Sequence, residues 1–78
     1  MTRYHFHIRH RDGLTKDIDG AEFADLEQAR LEAIRSAREI IAERVKRGDI
    51  VNGDVFEITT SDGEIADRLS FRSTMRLE

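Results

Sequence analysis

The sequence predicts a two-layer α+β fold of the order ββαββ, in which a four-stranded antiparallel sheet packs against one face of a single long helix. Two features lead to this prediction. Runs with alternating apolar and polar residues lie near both ends of the chain, each followed by an Asp-Gly turn signal, and residues 26–47 between them show helical periodicity. The 78 residues form one domain, residues 1–78, with an ordered core over about residues 3–71 and a tail, residues 72–78, that we expect to fray.

The first hairpin is predicted from the alternation at the start of the chain. Apolar side chains on one face of this strand alternate with polar ones on the other: Tyr4, Phe6 and Ile8 against His5, His7 and Arg9. The dipeptide Asp12-Gly13 supplies the turn, and residues 14–18 form the return strand. The charges of that second strand suit the edge of a sheet, where they discourage association with other sheets.

The helix is predicted from its caps and its periodicity. Asp25 is placed as the N-cap with Gln28 completing a capping box, and Gly48 is the expected left-handed residue after the last turn. Between them, one stripe of the helix is apolar and rich in alanine: Leu26, Ala29, Ala33, Ala37 and Ile40. The alanines allow the helix backbone to approach a sheet closely.

The second hairpin is predicted around the turn Ser61-Asp62-Gly63. Residues 55–60 form the strand before it and residues 64–71 the strand after it, with Ile65, Leu69 and Phe71 on the inner face and Asp67 as a misfit among them. The first and third strands carry the fewest charges, which suits central positions. We therefore expect the strand order 2-1-3-4.

The composition excludes several classes of protein. The absence of cysteine excludes a disulfide framework and a thiolate metal site, and a net charge of −3 provides no general attraction to nucleic acid or anionic membranes. Neither a signal peptide nor a transmembrane segment is recognisable, so we expect a cytoplasmic protein.

No catalytic constellation is recognisable either. The serines lie outside nucleophile motifs, no glycine-rich phosphate loop occurs, and the carboxylates lie in polar contexts that do not tune them for acid–base catalysis. We expect a non-enzymatic protein without a cofactor.

The polar face of the sheet is the candidate contact surface. Five side chains are expected on it, contributed by three strands: His5, His7, Arg9, Glu57 and Arg68. Our interpretation is a small interaction module that uses this face, with no metal.

Two alternatives use the same face as a binding site, besides a contact of the histidines that responds to pH because histidine changes charge near about pH 6.5. Same-face residues of a strand lie roughly 6.6 Å apart, so His5 and His7 could share a metal ion with Glu57 as a third ligand. The arginines could instead bind nucleic acid weakly. The inward direction of the aromatic side chains and the acidic charge balance disfavour this second alternative.

Self-association is the expected form of partnership. The apolar arc of the helix is wider than a sheet of short strands must cover, which leaves one flank as a candidate homodimer interface: Leu31, Ile41 and Val45. The alternative is that the linkers, residues 19–24 and 49–54, fold over this flank.

Several short motifs resemble those of a bacterial family of small uncharacterised domains. They are the opening Arg3-Tyr4-His5-Phe6-His7-Ile8, then Asp12-Gly13, Asp17-x-x-Gly20, the Asp25-Leu26 cap and the closing Asp-Gly hairpin, together spanning about residues 3–71. Members of that family typically begin Arg-Tyr-aromatic-Phe-His-Val, so the family's histidine corresponds to His7, and His5 stands where an aromatic residue is common. The resemblance implies the fold, implies no activity, and makes a His-x-His metal site particular to this chain.

Overall fold

One antiparallel sheet and one long helix make up the fold, and the computed structural model describes residues 1–49 and 53–75. The elements follow in the order β1 (Thr2–His10), β2 (Gly13–Thr15), β3 (Ala21–Phe23), α1 (Leu26–Arg47), β4 (Val55–Thr60), β5 (Ile65–Ser70) and a final 3-10 helix (Phe71–Thr74). The strands lie in the order β2-β1-β4-β5, and β3 pairs with β1. The predicted two-layer architecture and the predicted order of the four strands are confirmed.

The sheet has five strands rather than four because the edge beside β1 is interrupted. The return strand β2, predicted over residues 14–18, ends at Thr15, where the chain leaves the sheet. It rejoins the sheet as β3, which pairs with the first residues of β1 between Tyr4↔Ala21 and Thr2↔Phe23. The sequence pattern predicts only an extended link at β3, so this strand is an addition to the predicted fold.

The helix begins and ends where its caps predicted. The Asp25 carboxylate accepts a hydrogen bond from Gln28 N at 2.9 Å, and Gly48 adopts a left-handed conformation with φ of 79°. The three alanines of the apolar stripe are completely buried, namely Ala29, Ala33 and Ala37. Because their side chains are small, α1 lies close to the sheet.

Aromatic side chains fill the space between helix and sheet. Phe56 and Phe71 pack with ring centroids 4.8 Å apart, and Phe6 joins them at 5.6 Å from Phe56. Tyr4 is also buried in this core. The aromatic residues of the strands therefore face the helix, as the alternation predicted.

The predicted face of Ile65 is wrong because β5 contains a β-bulge. The register shifts between Ile58 and Thr59, so Ile58 pairs with Asp67 and Thr59 pairs with Ile65. Ile65 consequently lies on the face away from the helix, where it is partly exposed, and not with Leu69. Asp67 reaches the helix side, where its carboxylate accepts a hydrogen bond from Arg30 Nη1 at 2.8 Å.

Residues 72–74, part of the tail that we expected to fray, belong to the 3-10 helix. Phe71 and Thr74 of the 3-10 helix are buried, and Arg38 Nε of α1 donates to the Thr74 carbonyl oxygen at 3.1 Å. Residues 76–78 lie outside the described residues, as do residues 50–52 of the linker that we considered as a cover for the helix flank.

Candidate functional site

The predicted surface residues share the outer face, by which we mean the face of the sheet opposite the helix. The register pairs His7 with Glu57 across β1 and β4, and Glu57 with Arg68 across β4 and β5. Paired residues of neighbouring strands point to the same side of a sheet, so these three side chains form one row. His5 belongs to the next row, with Thr59 and Ile65.

Glu57 is a buried carboxylate on this face. Its side chain is only 9% exposed, and Arg9 binds it with Nε 3.1 Å from Oε2 and Nη2 3.5 Å from Oε1. A carboxylate removed from water requires such a partner, because it otherwise loses its hydration without compensation. Arg9 remains half exposed, so it screens Glu57 while leaving cationic surface in contact with water.

The chain between β2 and β3 is tied to the two histidines by Asp17. We call residues 16–20 the Asp17 loop. Asp17 takes part in four hydrogen bonds. Its backbone binds both imidazole rings: the carbonyl oxygen accepts from His5 Nδ1 at 2.9 Å, and the amide donates to His7 Nδ1 at 3.0 Å. Its carboxylate accepts from Phe6 N at 3.0 Å and from Gly20 N at 3.2 Å. The Phe6 amide faces the interruption between β2 and β3, so the carboxylate replaces the missing strand partner there.

These contacts assign opposite hydrogen-bonding roles to the two imidazole rings. A carbonyl oxygen can only accept, so His5 Nδ1 carries a hydrogen, whereas a backbone amide can only donate, so His7 Nδ1 carries none. The rings are stacked, with centroids 5.9 Å apart and an angle of 27° between their planes. Neither Nε2 atom has a hydrogen-bond partner among the described residues. Every buried side-chain nitrogen or oxygen in that part of the chain does have a partner, so the two Nε2 atoms are accessible to solvent.

This arrangement gives the metal alternative no support. Within residues 1–49 and 53–75, no three histidine, aspartate or glutamate side chains are placed to hold a metal ion. Of the two candidate ligands, His5 has the arrangement of a metal-binding histidine, since its Nδ1–H donates to a carbonyl and leaves Nε2 free to bind. His7 has the reverse arrangement, because the hydrogen of the neutral ring lies on the Nε2 atom that would have to bind the metal.

The Asp17 loop is held firmly but presents an exposed apolar side chain. Besides the Asp17 contacts, Arg3 Nη1 donates to the Asp19 carbonyl at 2.8 Å, and Gly20 packs under His5. Ile18 lies between these anchored residues and is 85% exposed. Beside it, an open groove of about 260 Å³ is lined by both histidines, Lys16, Ile18, Thr59 and Thr60.

A second polar cluster, which the sequence did not predict, lies on the helix side of the sheet. The buried Asp54 Oδ2 accepts from His10 Nδ1 at 3.2 Å and from Arg44 Nη2 at 2.8 Å, and His10 Nε2 lies 2.6 Å from Thr15 Oγ1. We call these four residues the Asp54 cluster. Phe71 N also donates to the Asp54 carbonyl at 2.9 Å, so the cluster connects β1, β2, the last turns of α1 and the start of the 3-10 helix.

The order carboxylate, imidazole and hydroxyl in this cluster is also that of an activated nucleophile. Here the carboxylate oxygen that faces His10 is the one that neutralises the largely buried Arg44. The contacts of every member are therefore accounted for by joining elements of the fold, and we interpret the cluster as structural.

The candidate dimer flank is only partly exposed. Leu31 and Val45 are exposed, Val45 to 63%, but Ile41 is 7% exposed and belongs to the core. Ile41 is thus wrong as a member of a free flank, because it lies about 80° of helical rotation from Leu31, toward the buried alanines.

Within the described ranges, no helix combines the length and apolar character that a membrane span requires.

The nucleic-acid alternative also gains no support from the outer face. Base stacking requires exposed aromatic rings, and Tyr4, Phe6 and Phe56 all pack in the core on the helix side.

A family model described as "Domain of unknown function (DUF6894)" matches residues 3–72. No curated protein and no solved structure matches the chain.

Proposed function

The chain belongs to the DUF6894 family, whose description names no function, and from its structure we propose that it is a small non-enzymatic interaction module that binds a protein segment through the outer face of its sheet. The contact surface consists of the predicted residues His5, His7, Arg9, Glu57 and Arg68, extended by the Asp17 loop. A cytoplasmic location, expected from the sequence, is part of this proposal.

The observation that carries the proposal is the position of Ile18. A single exposed aliphatic side chain is ordinary on a protein surface. Ile18 differs because the backbone on both sides of it is fixed by the contacts of Asp17, Asp19 and Gly20. A side chain that is already held in place loses little backbone entropy when a partner covers it, so the apolar area that it buries contributes more fully to affinity.

The charges around Ile18 indicate the chemistry of the partner. Lys16 and Arg68 are exposed on or beside this face, whereas Arg9 and Glu57 neutralise each other. Ile65, turned outward by the bulge, adds a second apolar contact. A segment that combines an aliphatic or aromatic side chain with neighbouring carboxylates fits this combination.

Selection from a displayed library of random peptides tests the proposal. We expect the selected peptides to combine acidic and apolar residues, and Ile18→Ser to weaken their binding by about tenfold or more. Val45→Ser is the matched control, since it removes another exposed aliphatic side chain, from the helix flank. Peptides that bind Ile18→Ser as tightly as the native chain, or that lose affinity only in Val45→Ser, would contradict the proposal.

Self-association through the helix flank is a second candidate, supported by the exposure of Leu31 and Val45. Sedimentation velocity at micromolar concentration tests it, with the double variant Leu31→Ser, Val45→Ser as the comparison. A dimer that becomes a monomer in this variant would support the flank as the interface. A native chain that sediments as a monomer would remove this candidate.

A further inference from the structure

The hydrogen bond from Asp17 N to His7 Nδ1 is compatible with only one charge state of His7. Asp17 N lies 3.0 Å from His7 Nδ1 and donates its hydrogen to it, so Nδ1 must accept with a lone pair. When a neutral imidazole with its hydrogen on Nε2 takes up a second proton, that proton goes to Nδ1. Two hydrogens then face each other and the bond is lost.

The other two histidines tolerate a second proton in their present contacts. His5 already carries a hydrogen on Nδ1, so the second proton goes to the solvent-facing Nε2 and the bond to the Asp17 carbonyl persists. His10 donates to Asp54 through Nδ1, and a protonated Nε2 still binds Thr15 once the hydroxyl rotates to accept. Of the three imidazoles, His7 is the one whose protonation breaks a contact.

We propose that the Asp17–His7 hydrogen bond is a proton-sensitive latch, which opens when His7 becomes charged and loosens the part of the Asp17 loop that contacts this ring, while the other bonds of the loop persist. Opening of the latch lets Ile18 and Lys16 shift beside the groove that the histidines line, so acidification alters the contact surface. This last step rests on the proposed function, whereas the latch itself is a property of the isolated domain. Histidine is the side chain that ordinarily changes charge between about pH 5 and pH 8, so the experiments below span that range.

Charged groups from every neighbouring element act on His7. Glu57, its partner across β4, favours the charged ring, while Arg9 on its own strand, Arg68 beyond Glu57 and Lys16 in the loop oppose it. The stacked His5 opposes it as well once it carries a second proton itself. The Asp17 carboxylate is engaged by the amides of Phe6 and Gly20, so those two bonds remain to hold the loop when the His7 bond breaks.

Nitrogen NMR of the isolated domain tests the latch directly. At about pH 8 we expect His7 Nδ1 to resonate as an unprotonated ring nitrogen, His5 Nδ1 as a protonated one, and a scalar coupling across the hydrogen bond between Asp17 N and His7 Nδ1. On acidification to about pH 5, we expect loss of that coupling and shifts of the amides of residues 16–20. A protonated His7 Nδ1 at the higher pH would overturn the inference.

Two variants isolate His7 as the cause. In His7→Asn, the amide oxygen occupies nearly the position of Nδ1 and accepts from Asp17 N but does not titrate, so the loop amides should no longer respond to pH. In His5→Asn the response should persist, because His7 is unchanged. A response that persists in His7→Asn and disappears in His5→Asn would overturn the inference.

Binding of a selected peptide separates the latch from the proposed function. We expect acidification to weaken the binding of the peptide to the native chain and to leave its binding to His7→Asn unchanged. If the coupling is lost on acidification while peptide affinity stays constant, the latch stands and its connection to the contact surface is wrong. If the coupling persists at the lower pH, the latch is wrong whatever the peptide does.

Discussion

Gly20 lies directly against His5: a Cβ atom built on this glycine would be 2.9 Å from both Cε1 and Nδ1 of the imidazole ring, and 2.9 Å from the Tyr4 carbonyl oxygen. The backbone of Gly20 is also left-handed, with φ of 68°. Its amide donates to the Asp17 carboxylate, so the spacing Asp17-x-x-Gly20, one of the motifs behind the family resemblance, closes the loop that holds both histidines.

Replacing Gly20 by alanine is therefore expected to destabilise the domain for two separate reasons. The left-handed backbone costs about 1 kcal/mol for a residue with a side chain, and the contact with His5 and the Tyr4 backbone raises the total to about 2–3 kcal/mol. Gly48→Ala separates the two terms, because Gly48 has a similar φ of 79° and a Cβ atom added there would meet nothing within 4 Å. Urea denaturation of both variants measures the difference, and equal costs would show that the His5 contact is unimportant.

Removing the Asp17 carboxylate is expected to free the Phe6 and Gly20 amides at once. Asp17→Ala should lower the free energy of unfolding by about 2–3 kcal/mol, because a part-buried strand amide is left without an acceptor. Asp17→Asn keeps one acceptor oxygen and should cost less than the alanine variant. Chemical denaturation gives both values, and an alanine variant as stable as the native chain would contradict the role assigned to this carboxylate.

The elements that the sequence predicted well are those whose signals are local. Asp25 and Gly48 mark the ends of α1 through contacts within a few residues, and the alternation around His7 determines which side of β1 faces the helix. By contrast, the contacts of the Asp17 carboxylate with Phe6 and of Asp54 with His10 join residues far apart in the chain. The periodicity of apolar residues gives no information about contacts between such distant residues. The spacing of Asp17 and Gly20 was the one local feature that indicated a structured loop.

The site was predicted in its composition but not in its organisation. The outer face carries the five side chains that alternation assigned to it. The loop that covers part of it, residues 16–20, was predicted as the end of an edge strand, residues 14–18, and the start of a linker, residues 19–24. The bulge beside Thr59 likewise moved Ile65 to this face, because one extra residue reverses the direction of every side chain beyond it.

Asp54 provides a test of the second polar cluster. Asp54→Ala should cost about 3 kcal/mol or more, because the largely buried guanidinium of Arg44 and the ring of His10 both lose their acceptor. Asp49→Ala removes the acceptor of an exposed pair with Arg47 and should cost less than about 1 kcal/mol. Thermal and urea denaturation compare the two, and similar small costs would show that Asp54 contributes no more than a surface charge.

The revised assignment of the helix flank predicts opposite outcomes for two aliphatic residues. Ile41→Ala should cost about 2–4 kcal/mol, because it leaves a cavity beside the buried alanines. Val45→Ala, at an exposed position one turn further, should change stability by less than about 0.5 kcal/mol. Urea denaturation at low micromolar concentration measures both, and a large loss in Val45→Ala would indicate that the flank is covered in solution.

Zinc is expected to leave the thermal stability of the domain unchanged at neutral pH. A ligand present at about 100 times its Kd adds about 2.7 kcal/mol to the folded state, and for a domain of this size that raises Tm by about 10–20 °C. For His5 and His7 to bind one ion jointly, the hydrogen on His7 Nε2 would have to move to Nδ1, which breaks the bond from Asp17 N. The comparison of Tm with and without zinc is therefore a test of the ring assignments as well as of metal binding. A rise in Tm that disappears in both His5→Ala and His7→Ala would show that the two rings chelate the ion and that the tautomer assigned to His7 is wrong.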